Sequence, residues 1–512
     1  MLTTRLKLND LIYPLIFITA ILVYYPVIIS RQLVDIDFEL IIAPLLQVDG
    51  ISSYLDLFLG PKLFDVQPIR DLSLLLDIKL SALIDHQTFG TSNLLIWIGS
   101  CLVLERLLKE LGLDKSLRLI VLLILVHPTV SWAIYWPAAR KHLLSVLFIQ
   151  LATLKGYQFS KGDLKQGLLT IVFYLLSILS QPINILWGAV YLVFLGRRSL
   201  SKNNLAHSIL IAMTMALGLV SNYAYYKLLY PQFAGLAPQL SSFNFNFLLL
   251  SLSRGLTQIF LPYSFSQDYS YSSILNLFGL PLGILFFMFT WTKLKWSSCI
   301  LILLILHPLI LVGSRGGPIL TNDTYLLSSL IAWGLTIAVL MNRLLIKSYW
   351  LWIPIVVLGI KAGIEIRHTT NPASFFRVSF EREPNCRNAL SHAQELLVQN
   401  NVDDFMRVSG EALKNECLMI GHTSSALMNQ AYAIRLMLSE GLKDEIVLET
   451  LLKLKAKTPT IKFLETILQE KLGLPYELSE FKKIEKFIDP RLMPVLKRIA
   501  KKHSVMTEKI FL

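Results

Sequence analysis

Charge is what this sequence has least of. Only 16% of its 512 residues are Asp, Glu, Lys or Arg, against 54% hydrophobic, and the mean hydropathy is +0.56. Water does not ordinarily solvate a chain of this length with so few charges, so lipid has to do much of the work. Four cysteines are too few for a disulfide-built scaffold. Cys101 and Cys299 fall in or beside apolar runs, while Cys386 and Cys417 share the C-terminal region, where an oxidising compartment would allow them to pair. Also missing are any His, Cys or carboxylate spacing for a metal, a phosphate-cradling glycine loop and a Gly-x-Ser-x-Gly elbow. Gly316-Gly317 beside Arg315 is too short to stand for one.

What the sequence does have is long apolar runs. About eleven recur before residue 366, at about 10–31, 92–112, 116–135, 140–157, 166–180, 183–196, 205–226, 272–291, 297–313, 321–342 and 349–366. A run of about 20 residues crosses roughly 30 Å of hydrocarbon as a helix. The first is too long for a cleavable signal and lacks a small-residue cleavage site, so it reads as the first span. The expected fold is therefore all-α, a polytopic bundle over residues 1–366 followed by a soluble helical domain over 367–512.

The formal charge of +13 raises the question of nucleic acid, but the basic residues lie in short loops and the tail, without an aromatic-interleaved patch. Arg5, Lys7, Arg106, Lys109, Lys115, Arg118, Lys155, Lys161, Lys165, Arg197, Arg198, Lys202, Lys293, Lys295, Arg343 and Lys347 all fall on one side of an eleven-span chain. That side is expected to be cytoplasmic, which puts the N-terminus inside and the tail outside, as in a multi-pass protein of a bacterial inner membrane with a periplasmic domain. The first large outside segment, 32–91, carries short apolar helices interrupted by Gly50, Gly60, Pro61 and Pro68. In the second, 227–271, the stretch 247–261 is read as a helix lying at the interface, because counting it as a span would reverse the charge bias. After residue 366 apolar positions recur at helical spacing. The pair 388–416 approaches the roughly 34-residue tetratricopeptide period, although the signature Trp and Gly-Tyr positions are missing.

Polar residues collect at the outer side. Asp35 and Asp37 follow the first span. They read either as solvated carboxylates at a helix end or as acids able to take a proton from an acceptor hydroxyl. Arg70 and Asp71 follow Pro68, and Arg140 with Lys141 opens the fourth span against the charge bias. Such cations call for a partner, either a carboxylate or headgroup nearby or the phosphate of an anionic ligand. His127-Pro128, Gln181-Pro182, Asp268-Tyr269 and Asn322-Asp323 stand at span ends, where each alone reads as a cap or turn and together they could line a substrate site.

The ordered set of Asp35-Ile36-Asp37, Gln67-Pro68-Ile69-Arg70, Thr91-Ser92-Asn93, His127-Pro128-Thr129, Trp136 through Ser145, Ser180-Gln181-Pro182, Ser266 through Tyr269 and Asn322 through Leu326 resembles multi-spanning glycosyltransferases of the GT-C class. Within that class it resembles the protein O-mannosyltransferase-like group with C-terminal tetratricopeptide repeats, over about residues 10–345. The resemblance implies transfer of a sugar from a polyprenyl phosphate to a hydroxyl, often of a protein Ser or Thr, on the outer face. Asp35 and Asp37 would be catalytic, Arg70, Arg140 and Lys141 would hold the donor phosphate, and His127, Gln181, Asp268, Tyr269, Asn322 and Asp323 would contact substrate. No cofactor or metal would be needed beyond the lipid-linked sugar, and the partners would be lipid, donor and a protein or glycan acceptor. The chain departs from the family pattern in having Asp-Ile-Asp for adjacent acids, no His at Thr91 or Ser92, Gln181 for a Lys, and Asn322-Asp323 for Glu-Arg. A non-catalytic scaffold binding a partner through its tail is therefore a second expectation. A whole-glycan ligase shares the same look, and a transporter would place charges inside spans.

Overall fold

The computed structural model describes residues 12–30, 41–59, 67–84, 86–113, 117–161, 163, 165–181, 184, 187, 209, 212, 216, 220, 245–262, 274–314, 323–344, 348–415, 425–439, 441–454, 457–475 and 484–503. Among these every regular element is helical. The chain divides into two units, one of Met1–Val34 and Gln67–Asn371, the other of Asp35–Val66 and Pro372–Leu512.

The first unit contains α1 (Ile12–Ile29), and the second α2 (Ala43–Leu46) and α3 (Ile51–Leu59). The first unit continues with α4 (Pro68–Ile84), α5 (Phe89–Glu110), α6 (Leu117–Leu125), α7 (Val130–Tyr135), α8 (Arg140–Ser160), α9 (Lys165–Ser180), α10 (Phe245–Phe260), α11 (Gly279–Leu294), α12 (Trp296–Ser314), α13 (Leu327–Leu344) and α14 (Trp352–Thr369). Three helical stretches, Phe89–Glu110, Asp323–Leu344 and Tyr349–Thr369, are long and apolar enough to cross a membrane. Shorter apolar helices lie at Ile16–Ile29, Lys165–Ser180, Gly279–Leu294 and Trp296–Ile310.

One expectation changes. The run 116–135 is not continuous, because Pro128 lacks the N–H that a helix interior needs and the chain breaks into α6 and α7 around His127-Pro128. The stretch 247–261 packs one face on protein: Ser251 and Ser253 through Ile259 of α10 are buried against α11 and α12. Glycine makes that approach possible. A Cβ on Gly279 would fall 1.6 Å from the Ser253 carbonyl oxygen, and one on Gly255 would fall 2.2 Å from Leu309.

Helix α4 is amphipathic in the inverted sense. Leu72, Leu76, Leu80 and Leu83 point outward, while Arg70, Asp71, Leu74 and Asp77 point inward. Helices α1 and α14 likewise expose Ile18, Leu22 and Tyr25, and Ile353, Val357 and Ile360.

In the second unit α15 (Pro372–Arg382), α16 (Cys386–Val398), α17 (Val402–Asn415), α18 (Ser425–Leu438), α19 (Asp444–Leu452), α20 (Pro459–Lys471) and α21 (Met493–Lys502) enclose a core that includes Leu390, Phe405, Ile434, Phe463 and Leu496. Asn385 caps α16 by accepting the Asn388 N–H at 2.9 Å, and Asn400, at φ 66°, turns the chain from α16 into α17. Cys101 and Cys299 are free thiols and Cys386 is disulfide-bonded. Cys417 lies outside the described residues.

Candidate functional site

The polar residues of the first unit meet around the start of α8. A 3-10 turn, Pro137–Ala139, delivers Arg140 as the first residue of α8, and it is 1% exposed. Its Nε donates to Asn93 Oδ1 at 2.7 Å, Nη1 to the Ser73 carbonyl at 3.0 Å, and Nη2 to the Phe89 carbonyl at 3.0 Å and to the Asp77 carboxylate. Asp77 also accepts from Ser92 Oγ at 2.7 Å. The Asn93 amide nitrogen donates to the carbonyls of Ala133, Ile134 and Trp136 at 3.1–3.2 Å, tying α5 to the chain just before α8. One ion pair and one amide thus bind α4, α5, α7 and α8 together.

Arg140 was expected to hold a donor phosphate; its guanidinium is instead engaged by protein acceptors, with Asp77 as counter-ion. Arg70 is similarly engaged, its Nε 2.7 Å from Asp71 Oδ1, and Asp71 reaches back to the Gln67 N–H at 3.1 Å. Lys141, next to Arg140, is half-buried. His127 is fully buried, with Nε2 3.2 Å from the Ile259 carbonyl and Nδ1 accepting the Thr129 N–H at 3.4 Å. An imidazole whose Nδ1 accepts is neutral, and here it joins the break between α6 and α7 to α10.

Asp323 is 1% exposed in the 3-10 turn Asp323–Leu326, with Gln258 Nε2 at 3.5 Å and Arg254 one helical turn before Gln258 on the buried face of α10. Two residues on, Tyr325 meets the His142 ring edge-on at 4.8 Å, two residues after Arg140. The Asp323 turn and the Arg140 corner are therefore neighbours. Gln181 is buried, and its carbonyl accepts from Ser145 Oγ at 3.0 Å. Asp35, Asp37, Asp268, Tyr269 and Asn322 lie outside the described residues.

Sequence reasoning missed Asp77, the ion partner of Arg140. The signal was there in α4, where Arg70, Asp71, Asp77 and Ser81 follow helical spacing opposite a leucine stripe. It also missed a second hub. Asn184 donates to Ser145 Oγ at 2.8 Å, and its Oδ1 meets Ser328 Oγ at 2.6 Å and His307 Nε2 at 3.2 Å. His307 Nδ1 lies 2.7 Å from the Leu304 carbonyl, the acceptor that Pro308 cannot fill.

The arrangement provides a corner of balanced charge, rigidly joined, with Lys141 at its edge and the Asp323 carboxylate beside it. No family model, curated protein or solved structure matches the chain.

Proposed function

We propose that the chain is a multi-span membrane glycosyltransferase that moves a sugar from a polyprenyl phosphate to a hydroxyl on the non-cytoplasmic face. One observation carries the reading. Segments that resemble the GT-C class, at Ser92–Asn93, Trp136–Ser145 and Asp323–Leu326, come from distant parts of the sequence and meet at one corner with α4, the helix that carries Arg70 of the Gln67–Arg70 segment. Outward leucines on α4 and outward apolar faces on α1 and α14 fit lipid as the surrounding solvent. The disulfide at Cys386 fits a tail in an oxidising compartment. The eleven-span topology, the tetratricopeptide-like tail and a bacterial inner membrane belong to the same proposal.

In the proposed reaction the acceptor oxygen attacks the anomeric carbon, the bond from that carbon to the phosphate oxygen breaks, and the acceptor proton passes to Asp35 or Asp37. The polyprenyl phosphate leaves with its charge, toward which Lys141 is the proposed cation, and Arg140 and Arg70, bonded to Asp77 and Asp71, position the corner. The tail presents or selects the acceptor. That same neutralisation favours a second reading, a non-catalytic scaffold binding a partner through its tail, because the buried arginines do not require a ligand.

Membranes are incubated with radiolabelled polyprenyl-phosphate sugars, comparing wild type with Asp35→Asn, Asp37→Asn and Lys141→Gln. Transfer in wild type that disappears in one acid variant, with expression unchanged, supports the enzyme. No transfer in wild type with any donor sugar favours the scaffold.

A further inference from the structure

The second unit is electrically lopsided. Residues 372–480 carry twelve cations against fifteen carboxylates, whereas 481–512 carry nine against three. In α21 this excess forms a face. Lys497, Arg498, Lys501 and Lys502 are exposed, and Val495, Leu496, Ile499 and Ala500 on the opposite side are buried in the core. Elsewhere in the unit cations sit against carboxylates, as in Arg407–Asp404 at 2.8 Å, Lys453–Glu449 at 2.6 Å and Arg491 between Glu395 and Asp489. Arg498, Lys501 and Lys502 form no ion pair among the described residues.

The face is also fixed in direction. Lys502 Nζ donates to the Leu438 carbonyl at 2.7 Å, and His503 places Nε2 3.0 Å from the Met437 carbonyl and Nδ1 2.9 Å from Asp444 Oδ1. These contacts hold the end of α21 to the end of α18 and the start of α19, so its outward side is preformed.

We propose that this face is a docking surface for the anionic phospholipid headgroups of a bilayer. Apart from Pro494 in its first turn, the exposed side of α21 has no apolar residue, and so lacks the large apolar anchor that protein interfaces centre on and the interleaved aromatics of a nucleic-acid site. Its apolar residues are committed to the core, so the helix attracts without inserting. The connectivity fits a bilayer, because only Thr370 and Asn371 separate α15 from Tyr349–Thr369, a helix long and apolar enough to cross one. A basic cluster beside a membrane is drawn to acidic lipid over about one screening length, roughly 10 Å at 0.1 M salt.

The full chain is reconstituted in bilayers of phosphatidylcholine, with or without phosphatidylglycerol, and acylation of individual lysine amines is followed by mass spectrometry. Lys497, Lys501 and Lys502 react several-fold more slowly with the anionic lipid, while Lys453 does not change. The protection disappears in about 1 M salt, where screening shortens to roughly 3 Å. In the double variant Arg498→Gln/Lys501→Gln, Lys497 and Lys502 lose their protection while the melting temperature is unchanged. Equal rates in the two bilayers overturn the proposal. Protection in native membranes but not in pure lipid overturns it too, in favour of an acidic protein partner.

Discussion

Removing either member of the Arg140 and Asp77 pair leaves the other as a buried, uncompensated charge, which costs about 3–5 kcal/mol. Asp77→Asn and Arg140→Gln are each expected to lower the melting temperature of the detergent-solubilised protein strongly. The double variant is expected to lose less than the two single losses added together; additive losses would show that the two side chains do not act as a pair. Outside the bundle, Asp444 gives a pH-dependent counterpart. Burial works against its ionisation, but Lys471 and His503 outweigh that and hold the carboxyl below its ordinary 3.8. A depressed folded value means that the stabilisation is complete above the ordinary value and is lost as pH falls through the lower one. Hydrogen exchange in α19 and α21, followed on acidification, should therefore rise in wild type and show a smaller acid-dependent rise in Asp444→Asn. At this scale the sequence revealed which cations were out of place, Arg70 and Arg140, but not what they face. Asp77 is far from Arg140 along the chain, and only the fold brings them together.

Gly279 and Gly255 decide how closely α10 can approach its neighbours. Gly279→Ala would place a methyl against the Ser253 backbone, which cannot rotate away, whereas Gly255→Ala would meet the movable side chain of Leu309. Overpacking costs typically about 1–3 kcal/mol, so Gly279→Ala should destabilise more than Gly255→Ala, and Leu309→Ala should rescue only the latter. Thermal melting of the four variants checks the order, and rescue of Gly279→Ala by Leu309→Ala would contradict it. Apolar periodicity made the existence of helices such as α5, α13 and α14 legible, because long apolar runs have few other ways to satisfy their backbone. Their interruptions were less so. The break at Pro128 was written in the sequence but outweighed by run length, and what the buried face of α10 meets was not legible, because Asp323 lies 65 residues along the chain from Gln258.

At the level of the whole molecule, apolar composition and the change after residue 366 indicated a helical bundle and a helical tail, whereas the membership of Asp35–Val66 in the second unit depends on tertiary contacts that no local pattern records. The disulfide at Cys386 belongs to that unit. Cys386→Ser should cost about 2–4 kcal/mol and raise hydrogen exchange in α16 and α17 while leaving α5 and α13 unchanged. An equal rise in both units would show that they unfold as one. The division also sets an order of events during synthesis. About 300 residues separate the two pieces of the second unit, and at roughly 5–20 residues per second the early piece waits on the order of 15–60 s for the chain it belongs with. Helices α2 and α3 therefore emerge before the rest of their unit, and a ribosome that stops before residue 372 leaves them without it.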